Sequence, residues 1–451
     1  MKKVVLSAMA LIMGATMVAQ QNNPITNLSG DTSPDAVTSG TVRSTGNGGW
    51  TLQQGNDNKS QVLQAGTSQD VVIKQQNFSA DPGNLARVMQ TGNVGGNQAL
   101  SGQDNLANVS QNGSANQSQT FQEGDRNMAI TKQGVLDGAV SNGNKAYIKH
   151  GIGQNGEDNY AAVEQYGTGQ NQARTIQVYD NNDAWTIQDG MGNKSDIHQD
   201  AGPNQSSGHE AANEQYGMNN ESFIAQIGAG ESEAKMYQDG DGNIGVQNQT
   251  TGTGDWNFAG MVQEYGNTNV GFQTQSGGGS NVATMTQFFG DGNYGEQVQS
   301  GDSNTANISQ YFGNENYAKQ DQLGDDNEAY VTQGFGSGNK SLQTQEGDSN
   351  LTSSLQWGNE NKSNVHQRGV ANWGFTHQQG NENASLLVQR GNSHTYYVDQ
   401  YGNGNQSNVL QLGPTGNFET DGIDCYFDEQ LTPPTYNDIT DLNLETICGG
   451  C

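Results

Sequence analysis

From Gln356 onward a glutamine returns every eleven residues, at Gln367, Gln378, Gln389, Gln400 and Gln411. A glycine follows each one two residues later, at Gly358, Gly369, Gly380, Gly391, Gly402 and Gly413. Three residues beyond the first five glycines stand Asn361, Asn372, Asn383, His394 and Asn405, and two further on Ser363, Gly374, Ser385, Tyr396 and Ser407. The unit reads Gln-x-Gly-x-x-Asn-x-(Ala/Ser)-x-(Val/Ile/Leu/Thr)-x-Gln. It recurs upstream as Gln299-Gly301-Asn304-Ala306-Ile308-Gln310, and again from Gln53 and from Gln122. Roughly thirty copies fit between Gln53 and Gln411, and a repeat this short cannot bury a core alone, so copies must stack on one another.

Within each unit the marked residues from Asn to Gln occupy every second position, which places them on one face of an extended strand. The unmarked residues, such as Glu382, Leu386 and Val388, then face outward. The four residues between strands, 390–393 for example, hold the Gly and Asn that tight turns need. Between Gln238 and Gln356 the aliphatic slot alternates: Gln247, Gln273, Gln297, Gln320 and Gln343 interleave with Met261, Met285, Ile308 and Val331. Like slots therefore recur at twice the unit length, so two strands make one coil and like stacks on like. The sequence predicts an all-β chain, a parallel two-strand-per-turn β-solenoid with about 22 to 23 residues per coil. About sixteen coils spaced about 4.8 Å apart would extend on the order of 75 Å.

This arrangement explains the amides. Each Asn or Gln side chain carries a donor and an acceptor, so a column of them satisfies itself along the stack. The expected self-assembly columns hold Gln299, Asn304, Gln310, Gln356, Asn361, Gln367, Asn372, Gln378, Asn383, Gln389, Gln400, Asn405 and Gln411. Gly301, Gly358, Gly369, Gly380, Gly391 and Gly402 are expected to take turn conformations that other residues resist. Pro82 and Pro203 fall where the unit lengthens and mark loops off the coil.

Composition narrows the function classes. The chain has 451 residues with 31% apolar and 7% aromatic content, too little for ordinary globular cores of this length. A net charge of -29 leaves no basic stripe to displace counterions from phosphates, so nucleic acid is not an expected partner. Lys2 and Lys3 precede a short apolar run and small residues ending near Ala19, the layout of a secretory signal peptide. No later segment reaches the roughly 18 apolar residues of a membrane span. The parsing is a signal peptide over residues 1–19, a polar export or targeting segment over 20–50, repeats over 51–413 and an acidic tail over 414–451.

The unit, as carried by residues 299–310 and 345–356, resembles the curlin repeat of bacterial curli fibres. The resemblance implies a secreted amyloid subunit of the extracellular biofilm matrix, exported through a curli-type secretion pore and assembled with a nucleator into surface fibres. Fibre subunit, nucleator or minor subunit, and monomeric solenoid adhesin all remain open.

Other constellations weigh less. No Ser, His and Asp set or G-x-S-x-G elbow is present, so no enzyme is expected. The histidines are expected at the solvated surface rather than as metal ligands, with His366 and His377 on opposite faces. No cofactor or metal is expected. Acidic turns such as 240–243 and 324–327 keep turns soluble rather than binding calcium. Tyr166, Tyr216, Phe288, Tyr311, Trp357 and Tyr401, each just after a Gln, are expected to pack over neighbouring turns along one edge. Cys425, Cys448 and Cys451 allow one disulfide, from Cys425 to Cys448 or Cys451, and an odd thiol.

Overall fold

The computed structural model describes residues 46–92, 102–134, 141–151, 156–203, 208–252 and 256–413. The expected signal peptide, most of the 20–50 segment, and the tail with its three cysteines lie outside these residues.

The described chain is built from strands and turns, with no helix. Two parallel sheets face each other, each a succession of 15 strands with one two-residue strand, Ser141–Asn142 or Gly156–Glu157, paired off the path. The first sheet begins with Gly48–Gly55 and the second with Lys59–Gln64, and the chain then alternates between them to Thr395–Tyr401 and Gln406–Leu412. One strand of each sheet makes one coil. The solenoid has 15 coils, against the sixteen expected from the repeat count. Ambiguous spacing near residues 91–105 explains the difference: one coil there is lengthened, and Gln75 pairs directly with Gln111.

Register follows the glutamines. Gln356 pairs with Gln378 and Gln378 with Gln400 in the first sheet, while Gln345, Gln367, Gln389 and Gln411 line up in the second. Extra residues are expelled at the turns. Pro82 lies in the excursion between Asp70–Asn77 and Leu85–Thr91, and Pro203 in the one between Lys194–Asp200 and Glu210–Met218.

The core is one thin layer between the sheets. Ala fills the small slot of the first sheet in every coil from Ala107 to Ala329, each at most 1% exposed. The aliphatic slot of the second sheet holds Ile148, Thr175, Ile197 and Ile224 before it changes to Gln247. Where that change occurs, Met236, Met261 and Met285 enter from the first sheet, and Gly245, Gly271 and Gly295 stand opposite them. A Cβ on Gly295 would lie 2.6 Å from the Met285 sulfur, so glycine there makes room for methionine.

Two details correct the expected faces. Leu386 and Val388 do point outward, yet they are 8% and 3% exposed, because in-register side chains of adjacent coils cover them: Asn364 and His366 on one side, Asn408 and Leu410 on the other. Glu382 is a turn residue with φ 58°, not a strand residue. It belongs to a series with Ser303, Asp326, Ser349, Glu360, Ala371 and Ser393, the left-handed residue just before the column asparagine or His394.

Candidate functional site: the amide columns and solenoid ends

Each column glutamine sits at the end of a strand with its side chain turned inward. Gln310 is representative. Its Nε2 donates to Gln333 Oε1 at 2.9 Å and to the carbonyls of Tyr294 at 3.1 Å and Asn316 at 3.0 Å, while its Oε1 accepts from Gln287 at 2.9 Å. The amide thus joins its own coil to the next and one sheet to the other. Gln299 does the same in the second sheet, accepting from Gln275 and donating to Gln322, both at 2.9 Å. The run Gln345, Gln367, Gln389, Gln411 is linked at 3.1, 2.8 and 2.7 Å, and Gln356, Gln378, Gln400 at 2.9 and 2.8 Å. A third column, Gln247 to Gln343 in the second sheet's aliphatic slot, is linked in the same way.

The asparagine columns run the other way. The Asn327 backbone N–H donates to Asn304 Oδ1 at 3.1 Å, and Asn304 Nδ2 donates to the Gly324 carbonyl at 2.7 Å. Asn361, Asn383 and Asn405 repeat this, as do Asn350, Asn372 and His394. Glutamine side chains donate toward the C-terminal coil, whereas asparagine Oδ1 accepts from that coil while Nδ2 donates to a glycine carbonyl in it. Both patterns are directional, so the two ends of the stack differ.

The expected turn glycines all have positive φ: Gly301 120°, Gly358 103°, Gly369 128°, Gly380 122°, Gly391 123° and Gly402 100°. At Gly301 a Cβ would stand 2.2 Å from the Gly324 carbonyl oxygen of the next coil, so close coil contact demands glycine there as much as the dihedral does. Turn acids have a role beyond solubility. Asp325 accepts from the Asp302 N–H at 2.9 Å and Asp348 from Asp325 at 3.2 Å, stapling turn to turn.

Histidine is where the sequence reading fails. His366 and His377 are half-buried on separate sheets, but His150 is 0% and His209 1% exposed. His150 occupies a glutamine position between Gln122 and Gln177. Neither of its ring nitrogens has a partner, and Gln177 Oε1 is left without a donor. Burial holds the imidazole neutral, its pKa lowered to about 3. His209 replaces a column asparagine and bonds the Asp200 carbonyl at 3.2 Å. Both are legible once the units are aligned, because each falls on an inward slot.

On the outer face, Asp183, Glu210 and Glu233 are in register across three coils. Burial and then the Glu210 charge raise the Asp183 carboxyl to about 6. The aromatic edge is present, but of the expected residues only Trp357 lies in its main stack. Tyr265, Phe289, Phe312, Phe335 and Trp357 stack in sequence with centroids 4.9 to 5.3 Å apart. Phe288 joins edge-on, Tyr401 meets His377, and Tyr166 is buried. No family model and no curated protein matches the chain.

Proposed function

We propose that this chain is a secreted, curli-like fibre subunit of the extracellular matrix that assembles by end-to-end stacking of its coils. The observation that supports it is the direction of the amide columns. Among the described residues, the glutamine columns open with the acceptors Gln53 Oε1 and Gln64 Oε1 and close with the donors Gln400 Nε2 and Gln411 Nε2. The last coil of one copy thus offers the groups that the first coil of another lacks, whereas like ends would set acceptor against acceptor. Edge strands with unpaired backbone groups add to the attraction. The association is heterologous and does not close, which yields a filament rather than a ring.

A curli-type pore and a nucleator are the partners that the repeat implies. The test is electron microscopy and fibre diffraction on the purified mature chain. Fibres with a cross-β repeat of about 4.7 Å along their axis support assembly. A stable, monodisperse rod would point instead to a monomeric solenoid adhesin. One observation favours that second reading: the last coil departs from the column pattern at His394 and Tyr396.

A further inference from the structure

The small slot of the first sheet opens with Gly49 and Val71 and is then uniform over ten coils. It holds alanine from Ala107 to Ala329, then Thr352, then Gly374, and in the last coil Tyr396. Gly374 shows how little room that slot has. A Cβ placed there would meet Leu387 Cδ2, arriving from the opposite sheet, at 2.9 Å, with Gln367 Nε2 at 3.1 Å and Val365 Cγ1 at 3.2 Å. Tyr396 is paired with Gly374 and so lies on the same inward face, one coil further on. A phenol is far larger than the Val71 and Thr352 side chains, the largest that this slot buries elsewhere. Tyr396 is 38% exposed at a slot where Ala306 and Ala329 have none, so the described coils do not enclose it.

Apart from His394 in the turn before the strand, the rest of the coil is regular. Val398 and Gln400 remain buried at 4% and 6%, and the second strand keeps Ser407, Val409 and Gln411 in their columns. The first coil carries Gly49, Thr51, Ser60 and Val62 at its inward slots, all compatible with a neighbour. The departure is confined to one strand at one end.

We infer that Tyr396 is a steric stop built into the C-terminal coil, an autoinhibitory side chain that occupies the space where the first coil of a second copy would dock. This rests on the end-to-end assembly proposed above and adds to it that the two ends differ in readiness. The first coil is competent as it stands, and the last becomes competent only when the phenol is displaced.

The experiment compares the full mature chain with Tyr396→Ala, Tyr396→Ser and, as a control on the outer face of the same strand, Tyr397→Ala. Sedimentation velocity gives the concentration at which oligomers appear, and light scattering gives the lag before fibres. Overfilling a packed interior opposes docking by roughly tenfold or more in association constant, so both Tyr396 variants should associate at correspondingly lower concentration with a shortened lag. Tyr397→Ala should match the parent chain. Equal association of all four chains overturns the stop and leaves the assembly reading standing. If all four remain monomeric, both fail.

Discussion

Gln378 donates from Nε2 to Oε1 of Gln400 at 2.8 Å, the last rung of a ladder that begins at Gln53. Each rung serves two coils, so truncating one residue disturbs three. Replacing Gln310 by Ala removes the acceptor of Gln287 Nε2 and the donor of Gln333 Oε1, at about 1 to 3 kcal/mol for each group left unpaired. Thr286→Ala, on the outer face nearby, should stay within about 0.5 kcal/mol. Leu386 and Val388 cannot serve as inert controls, because adjacent coils bury them. Urea unfolding of the three chains reads the difference, and equal midpoints for Gln310→Ala and Thr286→Ala would show that the columns do not hold the coils.

Two glycines separate backbone clash from simple dihedral cost. Gly301, with φ 120°, would bring a Cβ within 2.2 Å of a carbonyl in the next coil, while Gly404, with φ 68°, has nothing within 4 Å. Gly404→Ala should cost about 1 to 2 kcal/mol, the ordinary penalty of a left-handed alanine. Gly301→Ala should cost clearly more, because the next coil must shift as well. Thermal denaturation of both variants checks the order. A Gly404 variant as damaged as the Gly301 variant would mean that coil spacing is not what selects glycine.

Interior volume is shared between sheets. Gly295 faces Met285, whose Sδ and Cε lie 2.6 and 2.8 Å from where a Cβ would be. Its φ is not positive, so only space argues for glycine. Gly295→Ala is therefore expected to be worse tolerated with Met285 present than in a Met285→Val background, with a coupling of about 1 kcal/mol. A double-mutant cycle measures it, and additive effects would refute the compensation.

The fold was legible because its period is strict. Alternation of Asn304, Ala306, Ile308 and Gln310 gave strand and face together, and the exchange of Gln297 with Met285 in like slots gave two strands per coil. Less legible were features set by the neighbouring coil rather than by the unit. Nothing in the unit itself announces that Ser303 or Glu360 must adopt positive φ, since only the return of the chain onto the next asparagine imposes it. Burial of Leu386 likewise depends on Asn364 and Asn408 lying beside it, more than ten residues away on each side. Tyr396 is visible as an oddity in the aligned repeat, but its meaning depends on which coil is last.

His150 provides the remaining test, because it is a defect in an otherwise continuous column. Its neighbours along the column are Gln122 and Gln177, and burial alone lowers its pKa, to about 3 from an ordinary 6.5. The folded form thus binds fewer protons than the unfolded chain between those values. Stability from this site is fully present above about pH 6.5 and falls as pH drops toward 3, by up to about 1.4 kcal/mol per pH unit. Asp183, raised to about 6, has the opposite sign, since its protonation relieves a buried charge as pH falls. The whole-chain profile mixes the two, so the informative quantity is a difference. His150→Gln removes the titration and supplies a donor for Gln177 Oε1. The variant should exceed the parent modestly at pH 8 and by a growing margin below pH 6.5. Urea midpoints of both chains at several pH values measure that margin, and a gap that stays constant down to pH 4 would mean that His150 is not held neutral inside the column.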